Sequence, residues 1–263
     1  MKQLNRETIL SLSGLGSDSL ILLDCADSTN ETAKALARDG APHGTAVLAE
    51  RQTAGRGRSG RSFLSPEGGL YLSVILRPQA EPEALLPLTA LLAAAALEPV
   101  ESVSGVRPGI KWTNDLVAEG KKLAGILTEM AFTPAGKVDY VICGIGVNCC
   151  AGEADFPPEV RQIAVSLQTL TGAEPDRSVL AGRLIRAFLQ AVSPENRERL
   201  LDVYRAACVT LGRTVRVVRG DESFCARAVT VDDDGALWVT DDTGCRQKVF
   251  SGEVSVRGMY GYV

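Results

Sequence analysis

Between residues 109 and 147 the chain offers a succession of apolar runs with very little between them. Gly109–Trp112 reads as a short strand. Leu116–Val117 follows, then the turn AEGK, then Lys122–Phe132, which is the pattern of a hairpin. TPAGK turns the chain once more into Val138–Val147. A parallel pair needs a crossover of a dozen or more residues, and these connections are far shorter. The strands therefore have to run antiparallel, which excludes a doubly wound parallel sheet over this stretch.

The flanking segments complete the outline. DSTNETAKALARDG opens a helix, with Ser28 and Glu31 at capping-box spacing, Ala33, Leu36 and Ala37 as its apolar stripe, and Gly40 as its stop. A strand is expected at Thr45–Glu50 and another at Leu70–Leu76, with a helix rich in alanine and leucine from Glu83 to about Ser104. EVRQIAVSLQTL, DRSVLAGRLIRAFLQAV and NRERLLDVYRAACV carry apolar residues near a period of 3.6 and read as three helices. After Gly212 the texture changes to short alternating runs, TVRVV, SFCARAVTV, ALWVT and QKVFS, split by RGDE, DDDG and DDTG. The expected fold is α+β: a mixed, largely antiparallel sheet flanked by helices over residues 1–210, and a small all-β domain over 211–263.

Bulk properties narrow the function classes. The net charge of −4 argues against a general nucleic-acid coat, so any basic loop is a local device. The most apolar run, Leu85–Val100, contains Pro87 and Pro99 and is shorter than a membrane span, so it suits a buried helix. The first ten residues, MKQLNRETIL, lack a continuous apolar h-region. Seven cysteines, none in C-x-x-C spacing, read as buried reduced thiols, and a reducing cytoplasm is the simplest compartment. The single histidine, His43, excludes any two-histidine metal site.

The chemistry concentrates in AERQTAGRGRSGRSFLSPEGG, residues 49–69. Gly55 to Gly60 spells G-x-G-x-x-G, the spacing of a dinucleotide fingerprint. That fingerprint needs a helix to start inside it. Pro66 and the Gly68–Gly69 pair break a helix here, and the next element is a strand, so the context fails. What remains is a loop with three arginines among three glycines. It is either a solvated turn or a lid whose guanidinium groups meet phosphate or carboxylate. Three other stretches favour the second reading jointly. KWTNDL brings Lys111, Asn114 and Asp115; KKLAGILTEM brings Lys121, Lys122 and Gly125; GIGVN brings Gly144, Gly146 and Asn148. Each alone has an ordinary surface or turn explanation. Together they are cations, amides and close-approach glycines at strand ends, as a mononucleotide site requires.

With STN (28–30), QTAGRGRSGRSF (52–63), GGLYLSVIL (68–76), KLAGIL (122–127) and GEVSVRG (252–258), these stretches resemble the biotin–protein ligases, in that family's order and from about residue 20 onward. The resemblance implies a catalytic domain of the class II synthetase-like biotin/lipoate ligase type with a small C-terminal SH3-like β-barrel. It implies the substrates biotin and ATP, the ion Mg²⁺, the intermediate biotinyl-5′-AMP, and a lysine of a biotin carboxyl carrier protein domain as acceptor. Lys122 and Arg58 match the catalytic pair, with Lys122 expected to bridge the biotin carboxylate and the α-phosphate. Ser28, Thr29, Asn30, Gln52, Arg56, Gly57, Arg58, Lys122, Gly125, Gly144 and Gly146 would bind biotin. Arg58, Arg61, Lys111, Asn114, Asp115 and Asn148 would bind ATP, with Asp115 the expected aid to the metal.

Two departures stand out. The family usually has proline where Thr113 stands. Its bifunctional members begin with a DNA-binding winged helix, for which too few residues precede the first motif, so the monofunctional type is expected, without nucleic-acid or membrane partners. Dimerisation is common in the family, and no interface is legible here. The rival readings are a lipoate–protein ligase, whose arginine-then-triple-glycine loop and His-Asp pair are absent, a biotin sensor without catalysis, and a nucleic-acid binder.

Overall fold

The computed structural model describes residues 2–250, 255–258 and 262, with the backbone alone for 153 and 255–258. The chain runs through α1 (Arg6–Ser13), β1 (Leu20–Leu23), α2 (Thr29–Arg38), β2 (Ala46–Ala49) and β3 (Leu70–Leu76), then α3 (Leu88–Ser104), β4 (Gly109–Lys111), β5 (Asp115–Ala118), β6 (Lys121–Phe132) and β7 (Val138–Val147). Four helices follow, α4 (Pro158–Arg161), α5 (Leu167–Thr171), α6 (Arg177–Ala191) and α7 (Arg197–Ala207). The last elements are β8 (Thr214–Arg219), β9 (Glu222–Val231), β10 (Leu237–Thr240), β11 (Arg246–Val249) and β12 (Ser255–Gly258).

The large sheet has the order β1-β2-β3-β7-β6-β5-β4. Only β1 and β2 pair parallel, and every other pair in the sheet is antiparallel. One face carries α3 and α6. The apolar face of α3 that sequence reading assigned to a buried helix packs there, with Leu88, Leu92, Ala96 and Val100 at most 2 % exposed. The other face carries α2, whose Ala33 and Ala37 pack on Val47, Ile75 and Ile142. That helix covers only part of the face. The rest lies under the glycine–arginine loop, and the candidate site is there.

Two sequence expectations need correction, and two elements come without any expectation. Ser28 is the N-cap of α2, but its side chain makes no capping hydrogen bond. Gln52 serves the helix end instead: its Oε1 accepts from the Thr29 backbone N–H at 2.8 Å. EVRQIAVSLQTL is not one helix. Between α4 and α5 the chain extends, and Ala164 bridges Lys122 in parallel. Val165 and Ser166 are buried beside the start of β6, where an unbroken helix could not hydrogen-bond the Lys122 backbone. Finally, α1 and the parallel edge strand β1 carried no reading in the sequence.

The small module is a five-stranded antiparallel sheet, ordered β11-β10-β9-β8-β12. Among the described residues no pairing closes it into a barrel. Of the GEVSVRG motif, residues 252–254 lie outside the described residues. The module shares one continuous apolar core with the large domain and is also tied to it by polar contacts. The Trp112 indole donates to the Gly235 carbonyl at 3.0 Å, and Arg205 Nε donates to the Val231 carbonyl at 2.7 Å.

Candidate active site

The site follows from strand alternation. On β6, Ala124 and Ile126 enter the core, so Gly125, Leu127 and Glu129 face the opposite side. Register places Gly125 opposite Gly146, and Gly144 opposite both Leu127 and Ser73. The three glycines thus form a bare strip on β6 and β7 beside α2. Side chains already use that space. A Cβ on Gly144 would lie 2.1 Å from Asn30 Oδ1, and one on Gly146 would lie 2.5 Å from the Phe63 ring.

The result is a slot walled by Ser28, Thr29, Asn30 and Gln52 on one side and by Phe63 and Arg56 of the loop on the other. Its cavity is about 30 Å³, room for roughly two waters. A larger ligand lying on the glycine strip has to displace the Phe63 ring. Phe63 was part of the quoted motif but carried no role in the sequence reading. The signal was present: an apolar side chain closing a glycine–arginine loop has nowhere apolar to go except down onto the sheet.

The loop itself is tightly tied. Gly57 N–H donates to the Arg61 carbonyl at 2.7 Å, and Phe63 N–H donates to Gly55 O at 2.8 Å. Gly55 has to be glycine, since a Cβ there would sit 2.3 Å from Phe63 O. Ser59 holds a left-handed conformation, φ 54°, which costs a non-glycine residue about 1–2 kcal/mol. Arg56 reaches back over α2 and pairs with Glu31 at 2.8 Å. Both groups are well exposed, so the pair steers the loop more than it stabilises it.

Charge gathers at the other end of the strip. Lys122 Nζ lies 2.7 Å from Asp115 Oδ1 and 5.5 Å from the Phe63 ring centroid. It therefore touches both the slot and the charged end. Its backbone is clamped by the extended segment after α4: Lys122 N–H donates to Ile163 O at 2.7 Å, and Val165 N–H donates to Lys122 O at 2.9 Å. Arg58 donates to Asn114 Oδ1 at 3.1 Å, while Asn114 Nδ2 is held by Ile126 O at 2.9 Å. Burial lowers the Arg58 guanidinium pKa, opposed by the charge of Asp115. Arg61, an exposed residue, lies close enough to act electrostatically on Arg58 and Tyr262.

Tyr262 enters this end unannounced by any sequence signal. Its hydroxyl donates to Asp115 Oδ2, its carbonyl accepts from Lys111 Nζ at 2.5 Å, and Lys111 Nζ stands 3.7 Å from its ring centroid. Burial pushes the tyrosine pKa far above its usual value, and Asp115 adds to the effect. Asn148 is different from the other expected nucleotide residues. It is buried, and its amide hydrogens go to the Lys122 and Val165 carbonyls at 3.3 and 3.2 Å. The structure places it beneath Lys122 as a support.

A metal ion would meet one carboxylate here. Among the described residues no group of three or more His, Cys, Asp or Glu side chains comes together. Lys122 and Tyr262 hold the two oxygens of Asp115, so an ion arriving on a polyphosphate would keep most of its ligands from it, as Mg²⁺ does, and would take one Asp115 oxygen from these partners.

Comparison with known proteins points to one family. Residues 22–148 match the biotin/lipoate A/B protein ligase family, and residues 210–257 match the biotin protein ligase C terminal domain. The biotin–[acetyl-CoA-carboxylase] ligase of Mycobacterium tuberculosis is 35% identical over 247 residues, covering 90% of this chain and 88% of that one. The bifunctional ligase/repressor BirA of Escherichia coli is 32% identical, covering 97% and 78%. Among solved structures, the Aquifex aeolicus biotin protein ligase in complex with biotin and ATP superimposes with a TM-score of 0.78 at 31% identity, covering 91% of this chain and 98% of the other. The Leishmania major enzyme in complex with biotinyl-5-AMP does so with a TM-score of 0.62 at 25% identity, covering 88% and 98%.

Proposed function

The chain belongs to the biotin protein ligase family, and from that premise we propose how its own residues divide the work of ligation. Its activity is that of a biotin–[acetyl-CoA-carboxylase] ligase. The acceptor we propose is a lysine on a biotin carboxyl carrier protein domain. In the first step a biotin carboxylate oxygen attacks the α-phosphorus of ATP, the bond to the β-phosphate breaks, and pyrophosphate leaves with biotinyl-5′-AMP formed. In the second the acceptor amine attacks the acyl carbon, loses a proton, and AMP departs as the amide forms.

The observation that carries the reading is the position of Lys122. It stands where the glycine strip meets the charged end, beside Gly125 and paired to Asp115. Two anions must approach each other in the first step, and a fixed cation at the junction lowers the cost most in the transition state. A compact ammonium with three donors can serve a carboxylate and a phosphate together. Arg58, Arg61 and Lys111 would neutralise the phosphates, Asn114 orients Arg58, and Asn148 holds the Lys122 backbone in register. Mg²⁺ would ride on the triphosphate with Asp115 as its protein carboxylate, screening the phosphate charge.

Ser28, Thr29, Asn30 and Gln52 would read the biotin ring through neutral hydrogen bonds, where a mismatched group leaves a buried partner unpaired. Gly125, Gly144 and Gly146 would let the ring approach the strands, with Phe63 moving from its place on Gly146 to cover it. Arg56, Gly57 and Arg58 would then shield the mixed anhydride from water until the acceptor arrives. Incubation with biotin, MgATP and a carrier domain, followed by intact-mass analysis, should show one biotinyl addition on the carrier. An unmodified carrier under conditions where lipoate is transferred would refute the reading.

A further inference from the structure

Behind the slot lie three charged groups, Glu129, Lys34 and Glu31, that the ligation reading leaves unused. Glu129 of β6 accepts from Asn30 Nδ2 at 2.7 Å through one oxygen and binds Lys34 Nζ at 2.6 Å through the other. Lys34 also binds Glu31 at 2.7 Å. Burial works against the Lys34 charge, but the hydrogen bonds to Glu129 and Glu31 outweigh it and raise its pKa. The two carboxylates and the lysine form an ion cluster under the first turns of α2.

A carboxylate only accepts hydrogen bonds. Asn30 must therefore turn its NH₂ toward Glu129, because the flipped amide would set two oxygens 2.7 Å apart. Asn30 Oδ1 then faces Ser73 Oγ at 2.6 Å, and Ser73 donates its one proton there. The 2.8 Å contact between Ser73 and Thr29 hydroxyls must then run from Thr29 to Ser73. The longer 3.2 Å approach of Thr29 Oγ1 to Gln52 Oε1 cannot hold the same proton. On the loop side, Gln52 Nε2 donates to Ser65 Oγ at 2.8 Å, and Ser65 donates to Phe63 O at 2.9 Å. Gln52 Oε1 is thereby left facing Thr29 and the slot. With the Thr29 proton spent backward, Thr29 Oγ1 and Gln52 Oε1 offer lone pairs to the slot.

We propose that Glu129, with Lys34 as its counter-ion, is a positioning residue that sets the hydrogen-bond direction of the slot wall through Asn30 and Ser73, so that the wall selects a ring presenting N–H donors. The inference rests on biotin being the ligand of this slot, its cyclic urea supplying the N–H groups. Glu129 stands behind Asn30 and does not line the slot. Its effect travels through three proton positions, each with a single consistent choice once the carboxylate is in place.

Glu129→Gln keeps the size of the side chain but can donate or accept, so the chain of donors is free to reverse. The test compares biotin with the isosteric cyclic carbamates in which one or other ring N–H is replaced by oxygen, by titration calorimetry. The parent enzyme should prefer biotin by about 10- to 100-fold, the effect of an unpaired buried acceptor. In Glu129→Gln that preference should shrink at least several-fold, with KM for biotin raised and kcat and KM for ATP little changed in pyrophosphate exchange. Ser73→Ala breaks the same chain at its middle and should shrink the preference equally, which keeps the proposal testable if the glutamine variant folds poorly. An unchanged preference in a folded Glu129→Gln, or in Ser73→Ala, overturns the proposal. Equal weakening of biotin and carbamate also overturns it, since that marks a structural role only. A parent that binds neither ring overturns the biotin reading itself, and the proposal with it.

Discussion

The two ends of the glycine strip are only a few residues apart on the same strands, yet they are built from different forces. On its helix side the slot is walled by neutral groups, Ser28, Thr29, Asn30 and Gln52, the last three each hydrogen-bonded within 2.6–2.8 Å to a defined partner. The far end is built from Lys122, Asp115, Lys111 and Arg58, held by ion pairing and by Tyr262. The difference teaches how one pocket can select and activate. Directional neutral bonds discriminate shape, because an unmatched donor is costly. Clustered charge discriminates poorly but stabilises a crowded anionic transition state. Lys122 belongs to both ends.

The largest way to break this comparison is at Lys122. Lys122→Ala should lower biotin-dependent ATP–pyrophosphate exchange by about 10³-fold. Biotinamide, which lacks the carboxylate, should still bind the neutral slot with unchanged affinity. Next in size is Arg58→Gly, which removes the Arg58 donor from Asn114 Oδ1 and loosens the loop. This variant should still make the adenylate but release it, so that biotinylation of bystander lysines in an added protein mixture rises several-fold. Equal labelling by parent and variant would contradict a retaining role for the loop.

Salt separates the two ends more gently. Raising ionic strength from roughly 50 to 500 mM should increase KM for ATP about threefold and leave the biotinamide Kd within experimental error. The smallest effect concerns the cluster behind the slot. The folded-state pKa of Lys34 is raised above 10.5, so its stabilising contribution is fully present below that pH and is lost as pH rises through the folded value. Lys34→Met should therefore cost about 1–2 °C in Tm near pH 9, and the difference from the parent should close in strongly alkaline buffer.

The legible parts of the molecule were those governed by local rules. The short turns between 109 and 147 forced the antiparallel pairing that β5, β6 and β7 show. The alternation of KLAGILTEM put Gly125, Leu127 and Glu129 on one face, and GIGVN supplied the facing glycines. What was not legible depends on contacts distant in sequence. Phe63 lies on Gly146 across 83 positions. Tyr262 reaches Asp115 over 147 positions, with no periodicity to mark it. The extended segment that clamps Lys122 reads as helix, because apolar residues near period 3.6 cannot reveal a backbone recruited by a neighbouring strand edge. Ser28 likewise carries the spacing of a capping box while Gln52, from another element, serves the helix end.

The most direct test of the whole account omits the acceptor. The protein is mixed with biotin and MgATP, passed through a desalting column, denatured, and its small-molecule content is measured by mass spectrometry. The account predicts close to one equivalent of biotinyl-5′-AMP travelling with the protein, made at Lys122 and held under the glycine–arginine loop. Absence of the adenylate, or its appearance only in the free fraction, would contradict a site that joins a neutral reading slot to a charged activating end beneath a single lid.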